Sequence, residues 1–389
     1  MSETYLECLV CRAQQDFAPV FFGCPACAQQ NRKAAMVMRY RTTVDDFRSP
    51  SQPGLWKYKG LLPPVTPVSL YEGGTPLVPL RGLWLKNETV NPTWSWKDRP
   101  GTASISVARH FGFKQTVAIS TGNHGNSVSA YSAAAGLGCT IFCNPGAPEL
   151  QLALMARYGS RVFRGGDANA LVRQMVERGG VFPASIVCPL GGFSNPYGIE
   201  GFKTIAFEIF DQLRRVPDRV FVPAGSGDGI YGIYKGFTEL RDLGLTDRVP
   251  KMIGCQATGA ACYVKALEQN APHPIRIPHP ETIALSIAEE IGGYPALTAI
   301  RESGGTAIAV DDEAIRAAAL ECARAGFAIE PASASSVAVA RTLENDGEDW
   351  VAIGTGALAK WPPVITEGFR MPEAMPADYA DLDGLTAYM

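Results

Sequence analysis

The residues able to do chemistry fall into two groups. The first is N-terminal, where Cys8-Leu-Val-Cys11 and Cys24-Pro-Ala-Cys27 form two CxxC pairs with twelve residues between them. Each pair can place two thiolates on one tetrahedral ion, and the short separation lets a ribbon turn bring the pairs together. Four soft sulfurs select zinc or iron, and zinc is the more frequent choice. A closed set of four ligands leaves no open coordination position, so Cys8, Cys11, Cys24 and Cys27 read as a structural zinc site. The metal then replaces the core that so short a module cannot build. The alternative is two redox or free cysteine pairs. The second group lies in Asn91-Pro-Thr-Trp-Ser-Trp-Lys97-Asp-Arg-Pro. Asn-Pro ends the preceding strand in a turn, and Pro100 suits the first turn of a helix starting near Arg99. Lys97 stands between the bulky aromatics Trp94 and Trp96. Partial burial lowers its pKa and keeps some amine neutral and nucleophilic, as a lysine that condenses with a carbonyl requires. Taken alone, the segment reads more simply as a lysine stem laid over apolar surface.

These groups need elements to position them. Short apolar runs at 116–120, 139–143, 161–164, 185–188, 219–223, 251–256 and 306–310 read as buried strands. Helical patterns fill 125–135, 148–158, 168–178, 201–214 and 312–325. Strand–helix alternation without hairpin signals predicts an α/β fold with parallel sheets covered on both faces. Pro50, Pro53, Pro63, Pro64, Pro67, Pro76 and Pro79 keep a helix from running through 41–80, which reads as an extended arm. The expected division is a four-cysteine, zinc-ribbon-like module at 1–40 and an arm at 41–82 that belongs to the larger domain. A smaller α/β domain at 83–200 then carries Lys97, and a larger one spans 201–389, ending in an acidic surface tail at 370–389. Glycine-rich or polar loops at 120–126, 191–198, 225–229 and 354–356 fall where strands end. Ligands in open parallel sheets sit there, so the loops predict one cleft, between two α/β domains.

Composition narrows the function classes. The chain has 389 residues, 46% hydrophobic and 19% charged, with a net charge of −3. That balance fits a globular protein of two or three units and offers no general electrostatic case for nucleic acid. No run of eighteen apolar residues or signal-like start is present, so no membrane span or secretory leader is expected. The ten cysteines are few and form no disulfide framework, which fits a reducing, cytoplasmic setting.

Asn-Pro-Thr-x-Ser-x-Lys97-Asp-Arg resembles the cofactor-lysine motif of the threonine synthase branch of fold type II pyridoxal-phosphate enzymes. Further segments agree: Trp56-Lys-Tyr58 with Leu61-Leu-Pro, Ser69-Leu-Tyr-Glu-Gly-Gly-Thr-Pro-Leu77, Ser120-Thr-Gly-Asn-His-Gly-Asn126, Glu330-Pro-Ala-Ser-Ala-Ser335 and Gly354-Thr-Gly356. A cysteine ribbon is also common in that branch. The resemblance covers nearly the whole chain and implies a two-domain fold type II architecture, pyridoxal 5'-phosphate on Lys97, and a homodimer. It implies that Ser120, Thr121, Gly122, Asn123 and His124 grip the carboxylate of an amino-acid substrate on free N–H groups of a helix start. Asn123 would also bond the cofactor's ring oxygen. Gly225, Ser226, Gly227, Asp228 and Gly229 would cup the phosphate, Thr355 would meet the ring nitrogen, and Glu330 and Ser333 would lie near the ring. Read without the resemblance, 120–126 is a strand-to-helix turn with an Asn cap, and the glycine loop is a tight turn. His124 suits proton transfer or capping, and Asp228 beside a phosphate must point away or accept a donor.

The implied activity is that of a lyase: removal of the α-proton of an amino acid by Lys97, elimination of a β or γ leaving group, and replacement. Two departures stand out. Trp94 and Trp96 occupy places where the branch has Gly and Phe. Gly198 occupies the place of an arginine that serves the phosphate of phosphohomoserine, with Phe193 making the neighbourhood apolar. They support an alternative, a threonine or serine dehydratase-like ammonia-lyase or a β-replacement enzyme on another small amino acid. Arg99, Arg157 and Lys203 are the cations that could compensate for Gly198. A different class is a non-catalytic protein that binds a partner through the cysteine module, which the presence of Lys97, Asn123 and Thr355 disfavours.

Overall fold

The two cysteine pairs stand on a small antiparallel ribbon. Strands β1 (Thr4–Cys8), β2 (Gln14–Asp16) and β3 (Met36–Tyr40) pair in the order β2-β1-β3, with Leu6 opposite Met38, and a single turn, α1 (Pro25–Ala28), carries the second CxxC. Leu6, Met36 and Met38 are buried against Phe182 and Tyr197, so the ribbon's own small core is completed by the body of the protein. A computed structural model describes residues 3–185 and 195–361. The expected strand beyond Ser185, the loop from Gly191 through Phe193, and the tail at 370–389 lie outside the described residues.

The proline-rich arm is not extended throughout. Between Pro53 and Pro63 the chain makes tight 3-10 turns over Gly54–Leu61, burying Leu55, Trp56, Tyr58 and Leu61. The prolines stop a long helix, as expected, but leave room for a short one. Gly54 has φ +54°, and a Cβ there would lie 2.1 Å from the Glu72 carbonyl oxygen, so the arm folds back tightly on itself.

Strands β4 (Leu77–Leu80) and β5 (Leu83–Asn87) form a hairpin. Next come α2 (Asp98–His110), β6 (Gln115–Ile119), α3 (Asn123–Ala134), β7 (Gly138–Cys143), α4 (Glu149–Arg157), β8 (Arg161–Arg164), α5 (Ala168–Arg178) and β9 (Val181–Pro183). The second half contains α6 (Gly198–Leu213), β10 (Arg219–Pro223), α7 (Asp228–Asp242), β11 (Lys251–Ala257), α8 (Cys262–Glu268), α9 (Tyr294–Glu302), β12 (Thr306–Val310), α10 (Asp312–Arg324), α11 (Pro331–Arg341) and β13 (Trp350–Gly354). One sheet has the order β12-β11-β10-β13-β5-β4, and the other β8-β7-β6-β9. All neighbours are parallel except β4, which runs antiparallel on the edge. The hairpin escaped the sequence reading because Pro76 and Pro79 mask it; an edge strand tolerates them. Strand β5, which opens the stretch 83–200, belongs to the six-stranded sheet, because Leu83 and Leu85 join the core under β13 and α11.

Burial on both faces explains the central strands. In β10, Val220 and Val222 join one core with α6 and α7, while Phe221 joins the opposite core with α11. In β13 the same alternation sends Val351 and Ile353 one way and Trp350 and Ala352 the other. Glycines then let the helices approach one another. A Cβ on Gly201 would lie 1.9 Å from the Arg99 carbonyl oxygen, and one on Gly236 would lie 2.3 Å from the Lys203 carbonyl oxygen. This packing of α2, α6 and α7 brings three helix starts, at Lys97, Gly198 and Asp228, to one place. Among the described residues no helix is long and apolar enough to cross a membrane.

Candidate active site

Lys97 caps the start of α2 and lines a pocket with Pro100, Ser104, His124, Asn195, Gly198, Phe202 and Asp228. Its segment is fastened by backbone bonds. Trp96 N–H donates to the Thr355 carbonyl at 2.8 Å, Ala357 N–H donates to the Trp94 carbonyl at 3.0 Å, and Ser127 Oγ donates to the Lys97 carbonyl at 2.8 Å. Asp98 holds the turn by accepting from Thr93 N–H and Thr93 Oγ1, each at 2.6 Å. Burial dominates and raises the Asp98 carboxyl to about 6, with the Thr93 bonds opposing.

The two tryptophans do not share the role expected of them. Trp96 is buried, and Lys97 Nζ lies 5.9 Å from its ring centroid and 5.5 Å from that of Phe202. Trp94 is 45% exposed with φ +60°, a conformation that suits glycine better. Phe202 on α6 is thus the second aromatic neighbour, and no local spacing signalled it. Among the described residues Lys97 has no salt-bridge partner. Enclosure lowers its pKa, and Asp228, Glu289 and Glu330 oppose that shift in decreasing order.

Residues 225–229 form a tight cup at the start of α7. Gly227 has φ +92°, and a Cβ there would lie 2.2 Å from Tyr263 Oη. The Ser226 carbonyl is held by Tyr263 Oη at 2.9 Å and by Gly293 N–H at 2.8 Å. A Cβ on Gly229 would enter the Trp96 ring at 2.2 Å, so this cup lies directly against the lysine segment. Asp228 is buried, lines the pocket and faces Lys97 electrostatically.

The start of α3 supplies the third wall. Ser120 Oγ turns back to accept from Gly122 N–H at 3.2 Å and Gly125 N–H at 2.8 Å, which leaves, among the described residues, the amides of Thr121, Asn123 and His124 as the N–H groups open to an anion. Asn123 Nδ2 donates to Glu330 Oε2 at 2.8 Å. Glu330 also accepts from Trp361 Nε1 at 2.7 Å, Thr355 Oγ1 at 3.2 Å and Ser286 Oγ at 3.3 Å. Thr355 Oγ1 and Ser333 Oγ lie 2.8 Å apart. Residues 123, 330, 333 and 355 thus form one buried network, with Ser286 and Trp361 the members that sequence reading missed. His124 Nε2 lies 3.0 Å from the Ala184 carbonyl, so that nitrogen carries the proton. Burial and the Lys97 charge lower its pKa to about 3, keeping the ring neutral.

The residues fit pyridoxal phosphate. Ser95 Oγ, Asn123 Oδ1 and His124 Nδ1 are buried polar atoms without a partner among the described residues, all on segments bordering Lys97. Buried polar atoms are rarely left so, and three around one amine mark a polar ligand's place. The cup at 225–229 adds backbone N–H groups at a helix start.

Distant from this pocket in sequence, the four cysteines converge. Their sulfurs all lie within 4.8 Å of one another, with Cys8–Cys27 at 3.8 Å and Cys11–Cys24 at 3.7 Å. A tetrahedral ion with bonds of about 2.3 Å has ligand–ligand edges of about 3.8 Å, so the set is shaped for one.

With the geometry in place, comparison with known proteins is direct. A family model described as pyridoxal-phosphate dependent enzyme matches residues 68–356. The threonine synthase of Methanosarcina acetivorans is 37% identical over 96% of both chains, and that of Methanocaldococcus jannaschii is 38% identical over 84% of this chain and 85% of its own. Among solved structures, a fungal L-serine ammonia-lyase from Rhizomucor miehei has a TM-score of 0.65 at 18% identity, covering 78% of this chain and all of that one. Threonine deaminase isoform 2 from Solanum lycopersicum has a TM-score of 0.62 at 23% identity, covering 75% and 86%. These likenesses show the fold type II architecture. The chain belongs to the pyridoxal-phosphate-dependent enzymes and is a lyase of the threonine synthase type.

Proposed function

We propose that the pocket removes the α-proton of an amino acid, expels a β or γ leaving group and completes a replacement at the same carbon skeleton. Lys97 Nζ would hold the cofactor, the amides of Gly225, Ser226, Gly227, Asp228 and Gly229 its phosphate, Asn123 its ring oxygen and Thr355 its ring nitrogen. When bound, pyridoxal phosphate supplies an electron sink for the charge left at the α-carbon. The chain's own residues do the rest. The amides of Thr121, Asn123 and His124 orient the substrate carboxylate. Lys97 would take the α-proton on Nζ and could return it. The Trp96 and Phe202 rings limit water around that nitrogen. Thr355 is a neutral partner, which favours elimination and replacement over transamination.

The observation that carries this reading is Lys97 itself, an amine with a lowered pKa and no ion-pair partner among the described residues, facing a glycine cup and three orphaned polar atoms. Lys97→Ala tests it. Wild-type protein supplied with pyridoxal phosphate should show a violet absorbance band and turnover, and the variant should lose both while keeping its melting temperature.

Four finer assignments accompany it. Zinc in the cysteine set is supported by the sulfur spacing; Cys8→Ser should lower bound zinc and melting temperature while the violet band persists. A homodimer rests on family likeness, and sedimentation checks it. A cytoplasmic setting fits the nine described cysteines, all free thiols. The division into 1–40, 41–82, 83–200 and 201–389 is kept as a proposed outline, except that β5, at the start of 83–200, pairs within the six-stranded sheet.

A further inference from the structure

Resting on the readings of the four cysteines and of the cup at 225–229 given above, we propose that the cysteine module positions the active site. Tyr294 and Tyr197 tie it to two walls of the pocket, so that a metal ion held by the cysteines raises the affinity for pyridoxal phosphate.

The first tie runs to the cup. Ala34 and Ala35 are held by both CxxC loops. The Ala35 carbonyl accepts from Leu9 N–H at 3.0 Å, inside the first pair, and the Ala34 carbonyl accepts from Cys24 N–H at 2.8 Å, at the start of the second. Ala35 N–H then donates to Tyr294 Oη at 3.1 Å. Tyr294 opens α9, and the residue before it, Gly293, donates its N–H to the Ser226 carbonyl of the cup at 2.8 Å. There is little slack along this path. A Cβ on Gly292 would lie 2.1 Å from Tyr263 Oη and 2.9 Å from the Gly225 carbonyl oxygen, so the segment is pressed against the cup.

The second tie runs to α6. Ala18 and Val20 belong to the loop that joins the two cysteine pairs. Tyr197 Oη donates to the Ala18 carbonyl and accepts from Val20 N–H at 3.0 Å. The Tyr197 ring is buried in the same cluster as Cys8, Cys24 and Cys27. Tyr197 stands immediately ahead of α6, and Asn195 Oδ1 accepts from its N–H at 3.1 Å and from Gly198 N–H at 2.6 Å. Asn195 and Gly198 both line the pocket. Neither tyrosine is among the lining residues, so both are positioning residues.

The module cannot keep these partners in place alone, because its small core is completed by the body. A tetrahedral ion closes both cysteine loops on one point; without it the Ala18, Val20 and Ala35 backbone groups lose the anchor that aims them at the tyrosines. The cup and the start of α6 then sample more arrangements, and cofactor binding, which must order them, weakens. The coupling is reciprocal, so the cofactor tightens metal binding by the same factor.

The test uses full-length protein freed of cofactor, either saturated with zinc or stripped by a chelator, titrated with pyridoxal phosphate and followed by the violet band. Stripping should raise the dissociation constant about five- to tenfold, and pyridoxal phosphate should tighten zinc binding by the same factor, a linkage that a merely structural role would not produce. At saturating cofactor the band persists in both forms, because Lys97 itself is unchanged. Tyr294→Phe keeps the ring edge-on to His273 and removes the hydroxyl. Zinc-loaded, this variant should retain its zinc, bind pyridoxal phosphate roughly threefold more weakly than wild type, and respond less to stripping. Equal cofactor affinity with and without zinc overturns the proposal, as does a Tyr294→Phe protein with wild-type affinity and the full response. If the stripped wild type unfolds, the comparison of the two zinc-loaded proteins decides. A wild type that binds no zinc instead overturns the reading of the cysteines, and one that shows no violet band overturns that of Lys97.

Discussion

Lys97 and Arg99 are two residues apart on one helix start, yet their surroundings are opposites. Arg99 spends its guanidinium on two carboxylates: Nε and Nη2 meet Glu88 at 2.6 and 2.8 Å, and Nη1 and Nη2 meet Glu208 at 2.9 and 2.8 Å. Lys86 completes a balanced cluster through Glu208 at 2.7 Å. Every charge there has a partner, so the cluster fixes β5, α2 and α6 to one another and does no chemistry. Lys97 has carboxylates around it but no salt bridge among the described residues, and its neighbours include unpartnered polar atoms. A fully paired buried charge is structural, and a buried charge left without a direct partner is reactive.

The largest effects should separate the two. Lys97→Ala should abolish turnover and the violet band while leaving thermal unfolding in place. Arg99→Ala should do the reverse in kind. It strands Glu88 in the interior and leaves Glu208 with Lys86 alone, at a cost of about 3–5 kcal/mol, read as a fall in denaturant midpoint. A stable Arg99→Ala protein would break the comparison.

Acid titration sharpens it next. Burial alone would raise the Glu208 carboxyl, but Arg99 and Lys86 outweigh burial and hold it well below the usual carboxylate range. A depressed folded-state pKa contributes stability above the unfolded value of 4.5, and that contribution is lost as pH falls through the folded value. Wild-type stability should therefore drop steadily as pH falls below 4.5, with a shallower drop in Arg99→Ala. For Lys97 the smaller effect is kinetic. The amine attacks only when neutral, and enclosure lowers its pKa from 10.5. Covalent uptake of pyridoxal phosphate by cofactor-free protein should have its pH midpoint below that value, and Asp228→Asn should move it lower still. An unshifted midpoint would count against the enclosed amine.

Much of this was legible in the residues. The strands at Arg161–Arg164, Arg219–Pro223 and Thr306–Val310 and the helix Ala168–Arg178 match their apolar patterns end for end. Strand β9, at Val181–Pro183, was not anticipated, and the strand expected at 185–188 lies outside the described residues beyond Ser185. The apolar run continues past it, and only pairing with β6 fixes where the ladder falls. The hairpin of β4 and β5 was hidden by prolines. Helix α11 was missed because its small residues, Ala332 to Ala340 with three serines among them, carry no amphipathic stripe; it is buried all round.

By itself the sequence determined what depends on neighbours along the chain: the CxxC pairs, the lysine between two aromatics, the glycine loop after a strand, the alternation of strands and helices. Only the tertiary structure decided what depends on distance across it. It put Phe202 rather than Trp94 beside Lys97, gathered Glu330, Thr355, Asn123 and Trp361 into one network, and sequestered Arg99 and Lys203 away from the pocket. Local spacing sets which groups a segment can offer, but burial and charge pairing are settled by residues a hundred or more positions away, and these decide which cation is locked and which is left to react.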